Sequence, residues 1–371
     1  MRTEFMTNAP PAGDAEDPFH AYYSGGIRKI GLIGVLAALL LMAVVYAGSV
    51  GAAGLSLTDV FLAVAHAALP SIFGAPGNEM AGAIVVDIRM PRILLAGFAG
   101  ASLAVAGAVM QGVLRNPLVS PFTLGLSSAA SFGAALAIVA GPGIMGALFV
   151  GNQNALIVAM AFAFGIASML LIYAVTRMSD DQSTIILAGV VLGYMFSAGV
   201  LVLKYLTNNE KLRDITLWLM GGMWGANWGS AVLVAIVTVL VLLLLTLKAW
   251  DLNALSAGDE VARNLGVDIG RTRMYCLLLA TLMASSCMAF TGVIGFVGLM
   301  SPHICRIIIG NDHRYLIPCS ALMGALILLL SDTFARTIMI PQDLPVGIVM
   351  YVIGGAFFLF LIRRGKRSTL Y

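Results

Sequence analysis

Long apolar runs dominate the chain and alternate with short polar segments. A helix that rises about 1.5 Å per residue needs roughly 20 apolar residues to cross a hydrocarbon core about 30 Å thick. This rule predicts an all-α integral membrane protein with ten transmembrane helices. The predicted spans lie near residues 30–50, 93–113, 122–141, 154–175, 185–206, 230–249, 274–291, 293–309, 316–335 and 345–362.

One apolar stretch needs to be divided. As a single helix, residues 274–309 would be about 54 Å long, which is too long for one crossing. We therefore expect a break around Thr291 and Gly292. Two further stretches, 55–70 and 211–228, are too short or too polar to span, and we expect them to be interfacial or re-entrant pieces on the outer side.

The two ends of the chain are polar. Residues 1–27 contain proline and precede the first apolar run, so we expect a disordered cytoplasmic tail there. That run begins after Arg28 and Lys29 and is about 20 residues long, which favours a retained span over a cleaved signal peptide. The ten-span membrane domain is then expected over 28–367, with a cytoplasmic end at 368–371.

Composition and charge agree with this pattern. Hydrophobic residues make up 60% of the chain, charged residues make up 11%, and the mean hydropathy is +0.96, all outside the range of soluble domains. The net charge is only +3, and the basic residues form short clusters, which argues against a nucleic-acid surface. The four cysteines lie in apolar runs without metal-ligand spacing, so we interpret them as small buried hydrophobes. They are Cys276, Cys287, Cys305 and Cys319.

The basic residues orient the predicted spans. An even number of spans places both termini on one side, and with that side cytoplasmic, fifteen of the 21 Lys and Arg residues fall inside. The remaining six would be exceptions on the outer face, where a solvated role, a lipid contact or a docking role is open for each. They are Arg89, Arg92, Lys204, Lys211, Arg213 and Arg336.

The chain carries no signature of its own energy source. It has no Walker-type phosphate loop and no Ser/His/Asp, Cys/His or paired-carboxylate arrangement, which argues against catalysis. An acid at mid-membrane costs at least about 2.5 kcal/mol and persists only for function. Asp87, Asp332 and Asp343 lie near the outer ends of spans instead, and Asp332 is spaced for a helical pair with Arg336. An external energy source is therefore favoured.

Two local patterns indicate packing and attachment. Gly189 and Gly193 form a GxxxG pair, which lets two helices approach closely. In the largest predicted cytoplasmic loop, 250–268, Asp259 and Glu260 can open a short helix and Gly266 can end it. A solvated connector and an attachment point for another subunit are both open for this loop.

An ordered set of short motifs resembles the FecCD family of ABC importer permeases, whose members carry ferric siderophores, haem or vitamin B12. The likeness covers about residues 30–362. The motifs are Arg89-Met90-Pro91-Arg92, Gly107 to Gly112, Arg115-Asn116-Pro117-Leu118, Leu124 to Ser128, Leu187-Ala188-Gly189, Trp218 to Gly221, Leu252 to Gly266, Gly292 to His303, Asp312-His313-Arg314 and Leu344 to Ile348.

The resemblance implies a type II ABC importer permease that works as a homodimer in the inner membrane, with both termini cytoplasmic. Its implied partners are two ATP-binding cassette subunits, a periplasmic or lipid-anchored substrate-binding protein and membrane lipid. ATP and Mg²⁺ would bind the ATPase, and no cofactor is expected in this chain. Ferric siderophore is the first expectation for the cargo, with vitamin B12 (a corrinoid) and haem as alternatives.

The resemblance also implies roles for individual residues. Arg89, Arg92 and Arg336 match positions that dock the binding protein. The fifth predicted span resembles the helix that lines the pathway, through Gly189, Gly193 and Ser197, and Asn116 and Leu118 match the cytoplasmic gate. The implied ATPase-coupling residues are Leu255, Gly258, Asp259, Glu260, Ala262, Arg263, Leu265 and Gly266.

Some features leave alternatives open. The last span contains Gly354-Gly355-Ala356 where the family often has Gly-Ala-Pro, so a kink there is an open question. We interpret His303 as a packed, hydrogen-bonded structural residue, not as a metal or haem ligand. The rival functions are an ion-coupled secondary transporter and a membrane enzyme with a site formed by Asp332, Arg336 and His303.

Overall fold

The computed structural model describes residues 18–51, 53–78, 80–141, 152–176 and 182–365. These residues form helices joined by turns and irregular segments, which confirms the all-α prediction. The first 17 residues of the predicted tail and the predicted C-terminal end at 368–371 lie outside the described residues.

Fourteen α-helices occur in the described ranges. They are α1 (Pro18–Ser49), α2 (Leu57–Ala68), α3 (Met90–Val113), α4 (Leu126–Ala140), α5 (Gln153–Thr176), α6 (Gln182–Leu206), α7 (Asn209–Met220), α8 (Trp228–Leu247), α9 (Ala249–Ala257), α10 (Asp259–Asn264), α11 (Ile269–Thr291), α12 (Val297–Ile309), α13 (His313–Ala335) and α14 (Val346–Gly365). A π-helical segment, Ala83–Arg89, leads directly into α3.

Eight of the helices that the structure describes are long and apolar enough to cross a membrane. The other two predicted spans correspond to shorter apolar helices, α4 with 15 residues and α12 with 13. Irregular segments at 114–125 and 292–296 precede these two helices, and much of each segment is buried within the protein. Non-helical backbone is tolerated at membrane depth only under such cover.

The predicted break in the long apolar stretch is confirmed. Helix α11 ends at Thr291, and Gly292 has φ +65°, a left-handed conformation that glycine adopts without strain. The two predicted non-spanning pieces correspond to the short helices α2 and α7. Helix α1 begins at Pro18, within the stretch expected to be a tail.

Helix α3 lies at the centre of the bundle and packs against α8, α11, α12 and α13. Glycine makes two of these contacts possible. A Cβ atom on Gly107 would lie 1.8 Å from the carbonyl oxygen of Gly298, and one on Gly100 would lie 2.2 Å from that of Gly324. The backbones therefore meet directly at both crossings.

The GxxxG pair is confirmed as a packing feature. Gly189 and Gly193 on α6 are buried against the backbone of Leu124 and Gly125, just before α4. The four cysteines are all buried and unbridged, as expected for small hydrophobes.

The last long helix, α14, runs without interruption from Val346 to Gly365. At Gly354 it lies against the ring of Phe296, and a Cβ atom there would come within 2.2 Å of the Phe296 Cγ atom. The lack of a side chain at Gly354 thus lets α14 pack directly against the Phe296 ring.

Candidate functional site

Arg89 lies in the π-helical segment before α3 and is only 5% exposed. Its Nη1 atom donates to the carbonyl oxygens of Gly48 (2.6 Å) and Ser49 (3.1 Å), and its Nη2 atom donates to that of Ala53 (2.7 Å). Gly48 and Ser49 are the last residues of α1, where carbonyl groups lack helical partners. Arg89 therefore caps α1, and its positive charge suits the negative end of the helix dipole.

Arg336 makes a second contact with the same helix end. It follows the last residue of α13, is half-buried, and donates from Nη2 to the carbonyl oxygen of Ala47. Burial lowers the pKa of its guanidinium below the ordinary value, with nearby Asp332 acting in the opposite direction. A guanidinium stays charged at neutral pH even so.

Arg92 binds two carboxylates at once. Its Nε and Nη2 atoms donate to the two oxygens of Asp332 over 3.0 Å each, and its Nη1 atom donates to Asp343 over 2.5 Å. The predicted pairing of Asp332 with Arg336 is therefore wrong, because the Asp332 carboxylate faces α3 and pairs there with Arg92. Arg336 keeps only the backbone contact to Asp332 that continues the helix.

The three arginines predicted for docking thus lie together at one end of the bundle, around a cleft of about 280 Å³. The Asp343 side chain is 36% exposed, whereas the Arg92 side chain is 17% exposed. Asp343 also lines the cleft. Its sequence context indicates only a polar loop and does not predict that it lies beside Arg92. The docking role of the arginines stays a prediction.

At the opposite end, α9 and α10 form a compact helix pair, and we call residues 249–266 the coupling segment. Buried Leu255 and Ala262 pack with Val267 and Ile269 in a small apolar core of their own. Gly258 separates the helices with φ +126°, and Gly266 follows α10 with φ +79°, as expected for a glycine stop.

Asp259 fastens the coupling segment to the bundle. Its carboxylate accepts from Arg115, at the end of α3, and from Arg273, in α11, at 3.2 Å each. Glu260 and Arg263 are exposed on α10, and Leu265, the residue after it, is also exposed. Of the predicted coupling residues, Leu255, Ala262 and Asp259 therefore hold the segment in place, and the exposed three are available to a partner.

One exposed apolar residue of the coupling segment is not among the predicted coupling residues. Val261 is 44% exposed and lies one helical turn from Leu265, which is 68% exposed. The signal that could have revealed it is the apolar i,i+4 spacing of Val261 and Leu265 in a mostly polar segment.

A polar brace joins the coupling segment to α13. The side chain of Asn253 donates to Asp312 (2.8 Å) and accepts from the backbone N–H of His313 (2.8 Å). Asp312 also accepts from Arg314, whose guanidinium lies 4.2 Å from the Trp250 ring centroid. Burial disfavours ionisation of Asp312, but the hydrogen bonds from Arg314 and Asn253 outweigh it and lower the pKa of this carboxyl to about 2.

The predicted gate residues lie at the same end. Asn116 accepts from the backbone N–H of Leu118 (2.9 Å), which shapes the turn after α3, and Leu118 is 64% exposed. The left-handed conformation of Arg115 (φ 45°) begins this turn. Their gating role stays a prediction.

The predicted pathway residues face inward within this chain. Gly189 and Gly193 pack on the segment before α4, and Ser197 donates to Ser128 over 3.2 Å. The opposite face of α6 is apolar and exposed, with Tyr194 75% exposed. Their role along a pathway stays a prediction.

His303 packs among aromatic rings. Its ring centroid lies 6.2 Å from that of Phe357 and 6.1 Å from that of Phe358, and its Nε2 atom has no hydrogen-bond partner among the described residues. It is therefore packed as predicted, without the expected hydrogen bond at Nε2. No hydrogen bond joins it to Asp332 or Arg336 in the part of the chain that the structure describes. Nor do the described residues contain a group of three or more His, Cys, Asp and Glu side chains that could hold a metal ion.

Comparison with known proteins finds one matching family and similar permease proteins. The model of the FecCD transport family matches residues 39–364. The chain is 34% identical to the hemin transport system permease protein HmuU of Yersinia pestis, over 93% of this chain and 99% of that protein. It is 38% identical to the cobalamin import system permease protein BtuC of Halobacterium salinarum, over 81% of this chain and 78% of that protein.

A solved structure is also similar. It shows an inward-facing conformation of a metal-chelate type ABC transporter, with a TM-score of 0.78 and 30% identity, and the match covers 90% of this chain and 99% of that one.

Proposed function

Because the chain belongs to the FecCD transport family, we propose that it moves a ferric siderophore across the inner membrane as the permease subunit of an ATP-driven importer. The coarser statement, a multi-pass permease of a metal-chelate or vitamin ABC importer, follows from family membership and from the similar transporter fold. Vitamin B12 and haem remain alternative cargoes, since relatives are named for cobalamin and hemin.

The coupling segment is the observation that carries this proposal. It has a small apolar core of its own, is fastened by Asp259, and exposes Val261 and Leu265. A helix pair that is rigidly held and partly apolar on its free surface can transmit movement from a second protein. The motor can shift the pathway only if its ATP-bound and ATP-free forms hold this pair differently.

The buried charges favour an external motor over ion coupling. Asp332 is the one buried carboxylate among the residues that the structure describes, and both of its oxygens accept from Arg92. The charge of this carboxylate is already compensated by Arg92, and the two-point pairing fixes it between α3 and α13. An ion-coupled transporter would instead need a titratable group that is free to change its charge.

The assembly is part of the proposal. We infer a homodimer of this chain with two ATP-binding cassette subunits at the coupling segment and a substrate-binding protein at the arginine end. ATP and Mg²⁺ would bind the ATPase subunits, and both termini would face the cytoplasm. The exposed apolar face of α6 and the exposed Leu118 support contact with a second copy or with lipid.

Cargo competition tests the finer proposal. Proteoliposomes would contain the permease, its cognate ATPase with enclosed ATP, and the cognate binding protein outside. We expect uptake of a radiolabelled ferric siderophore, and no reduction of that uptake by excess cobalamin or hemin. Uptake of labelled cobalamin or hemin in place of the siderophore would reassign the cargo and leave the importer assignment intact.

A further inference from the structure

A polar pocket lies behind the coupling segment, at the predicted cytoplasmic end of the bundle. Its volume is about 650 Å³. Four elements contribute to its wall: the end of α3, helix α9, the end of α12 and the start of α13. The wall includes Arg115, Arg306, Asn116, Asn253 and Asp312.

Arg306 brings an uncompensated positive charge to this pocket. It lies in the last turn of α12, is half-buried, and forms no ion pair with any carboxylate that the structure describes. Its one side-chain hydrogen bond in the described part of the chain goes from Nη1 to the Oε1 atom of Gln111. The rest of its donor set is available to the pocket.

Gln111 fixes the position of Arg306. The Gln111 Nε2 atom donates to the carbonyl oxygen of Gly298 (3.2 Å), and its Oε1 atom therefore points toward the guanidinium. Gln111 is 3% exposed, so its amide is held between α3 and α12. The Arg306 guanidinium is thus held at the pocket wall before any ligand binds, and no described carboxylate neutralises its charge.

The remaining charges leave the pocket positive. Arg115 and Arg273 share the single carboxylate of Asp259, at 3.2 Å each. Asp312, the one acid in the pocket wall, is engaged by Arg314 and Asn253. With Arg306 added, the surroundings carry more guanidinium charge than carboxylate charge. A half-buried cation that no carboxylate neutralises is unfavourable unless an anion accompanies it.

The donor geometry favours an oxyanion with several oxygens. Guanidinium groups bind phosphate through paired N–H donors, and amide side chains such as Asn116 can add further bonds. A carboxylate presents one edge, whereas a tetrahedral phosphate presents oxygens in several directions. Arg306 supplies the free donors, and Arg115 adds positive charge at the same wall while its Nε and Nη2 atoms donate to Gln182 and Asp259. The volume of the pocket leaves room for a phosphate group with its water.

We propose that this pocket is a binding site for a phosphate-class anion, held chiefly by Arg306 and assisted by Arg115. Its occupant is either free inorganic phosphate or the phosphate of an anionic lipid headgroup. The bound anion links α12 and α3 to the coupling segment, because the pocket wall includes Ser256 and Ala257 of α9. The inference does not depend on the cargo or on the ATPase.

Calorimetry on the full-length permease tests the proposal. The protein is purified in a maltoside detergent without phospholipid, and inorganic phosphate is titrated at pH 7 and constant ionic strength. Wild type is expected to bind phosphate saturably, and Arg306→Gln should bind it at least about tenfold more weakly. Arg271→Gln is the matched control, because Arg271 has an 88% exposed side chain at the same end and is paired with Asp268. It should bind within about twofold of wild type.

Two additions make the result decisive. If Arg306→Gln does not fold, Arg115→Gln should still weaken phosphate binding several-fold relative to Arg271→Gln. Adding phosphatidylglycerol to the micelles then separates the sources, since a headgroup in the pocket would abolish phosphate binding and a site for the free ion would retain it. No saturable phosphate binding by wild type, or equal binding by the arginine variants and the Arg271→Gln control, would overturn the proposal.

Discussion

Arg92 and Asp332 form a two-point ion pair that joins the start of α3 to the end of α13. The Nε and Nη2 atoms of Arg92 each lie 3.0 Å from a separate oxygen of Asp332, whose side chain is 2% exposed. The Asp343 carboxylate, which is more exposed, accepts from the remaining Nη1 atom of Arg92. The contact of Arg92 with Asp332 is therefore buried and structural, whereas its contact with Asp343 is partly exposed and can be replaced by another acceptor.

Removing the inner carboxylate should destabilise the bundle. Asp332→Asn leaves the Arg92 charge without its buried partner, and we expect a loss of about 3 kcal/mol in the free energy of unfolding. Asp343→Asn is the matched control, since its side chain is 36% exposed, and should cost less than about 1 kcal/mol. Denaturant titration of the solubilised permease measures both, and equal losses would contradict the assigned roles.

The outer carboxylate should instead affect docking. If an acidic group of the binding protein approaches the Arg92 Nη1 atom, Asp343 competes with it for the same donor. Asp343→Asn should then tighten docking about fivefold at low salt, close to 1 kcal/mol. Surface plasmon resonance with the cognate binding protein measures this. Unchanged affinity at low salt would show that Arg92 is not a docking residue.

The arginines at this end show what the sequence could and could not predict. Their predicted position against the positive-inside rule marked them as exceptions, with a solvated role, a lipid contact or a docking role open for each. The burial of Arg89 could not be predicted from the sequence, because its partners are backbone carbonyl groups about 40 residues earlier in the chain. Asp332 likewise matched a helical pairing with Arg336, but its partner Arg92 is 240 residues away. Local spacing cannot reveal contacts that only the packing of α1, α3 and α13 creates.

The backbone crossing at Gly107 should tolerate no side chain. A Cβ atom there would lie 1.8 Å from the Gly298 carbonyl oxygen, so Gly107→Ala must separate α3 from α12. We expect a loss of at least about 2 kcal/mol in unfolding free energy. Gly97→Ala in the same helix meets nothing within 4 Å and should be neutral or slightly stabilising. Thermal unfolding of the two variants checks this, and similar behaviour would contradict the close crossing.

The Asp312 brace should make stability depend on pH in the acid range. Its folded-state pKa of about 2 lies below the ordinary 3.8, so the stabilising contribution is complete above about pH 4 and is lost as pH falls toward 2. The size is on the order of 2 kcal/mol. Unfolding midpoints between pH 5 and pH 2.5 measure the decline. Asp312→Asn should show a smaller decline than wild type, and an identical decline would contradict the lowered pKa.

Span positions were largely predictable because each apolar run marks a helix in lipid. The break after Thr291 also followed from length alone. The short lengths of α4 and α12 did not, because residues 122–125 and 293–296 continue the apolar runs although their backbone is irregular. The acidic start of α10 and the glycine after it could be predicted from the local sequence. The brace from Asn253 to Asp312 could not, because it joins residues 59 apart that only the fold brings together.

The exposed apolar pair on the coupling segment should be needed for ATPase attachment. Leu265→Glu places a charge where a partner would bury apolar surface, and we expect the ATPase to stop co-purifying with the permease. Arg271→Gln, at an exposed position nearby, should leave co-purification intact. Full recovery of the ATPase with Leu265→Glu would place the contact elsewhere.

The source of energy is the central question, and one uptake measurement tests it directly. Proteoliposomes with the permease, its ATPase and its binding protein would be offered the chelate that the binding protein carries, with either enclosed ATP or an imposed proton gradient. We predict accumulation with ATP alone, and none with Leu265→Glu. Accumulation driven by the proton gradient without ATP would contradict the account.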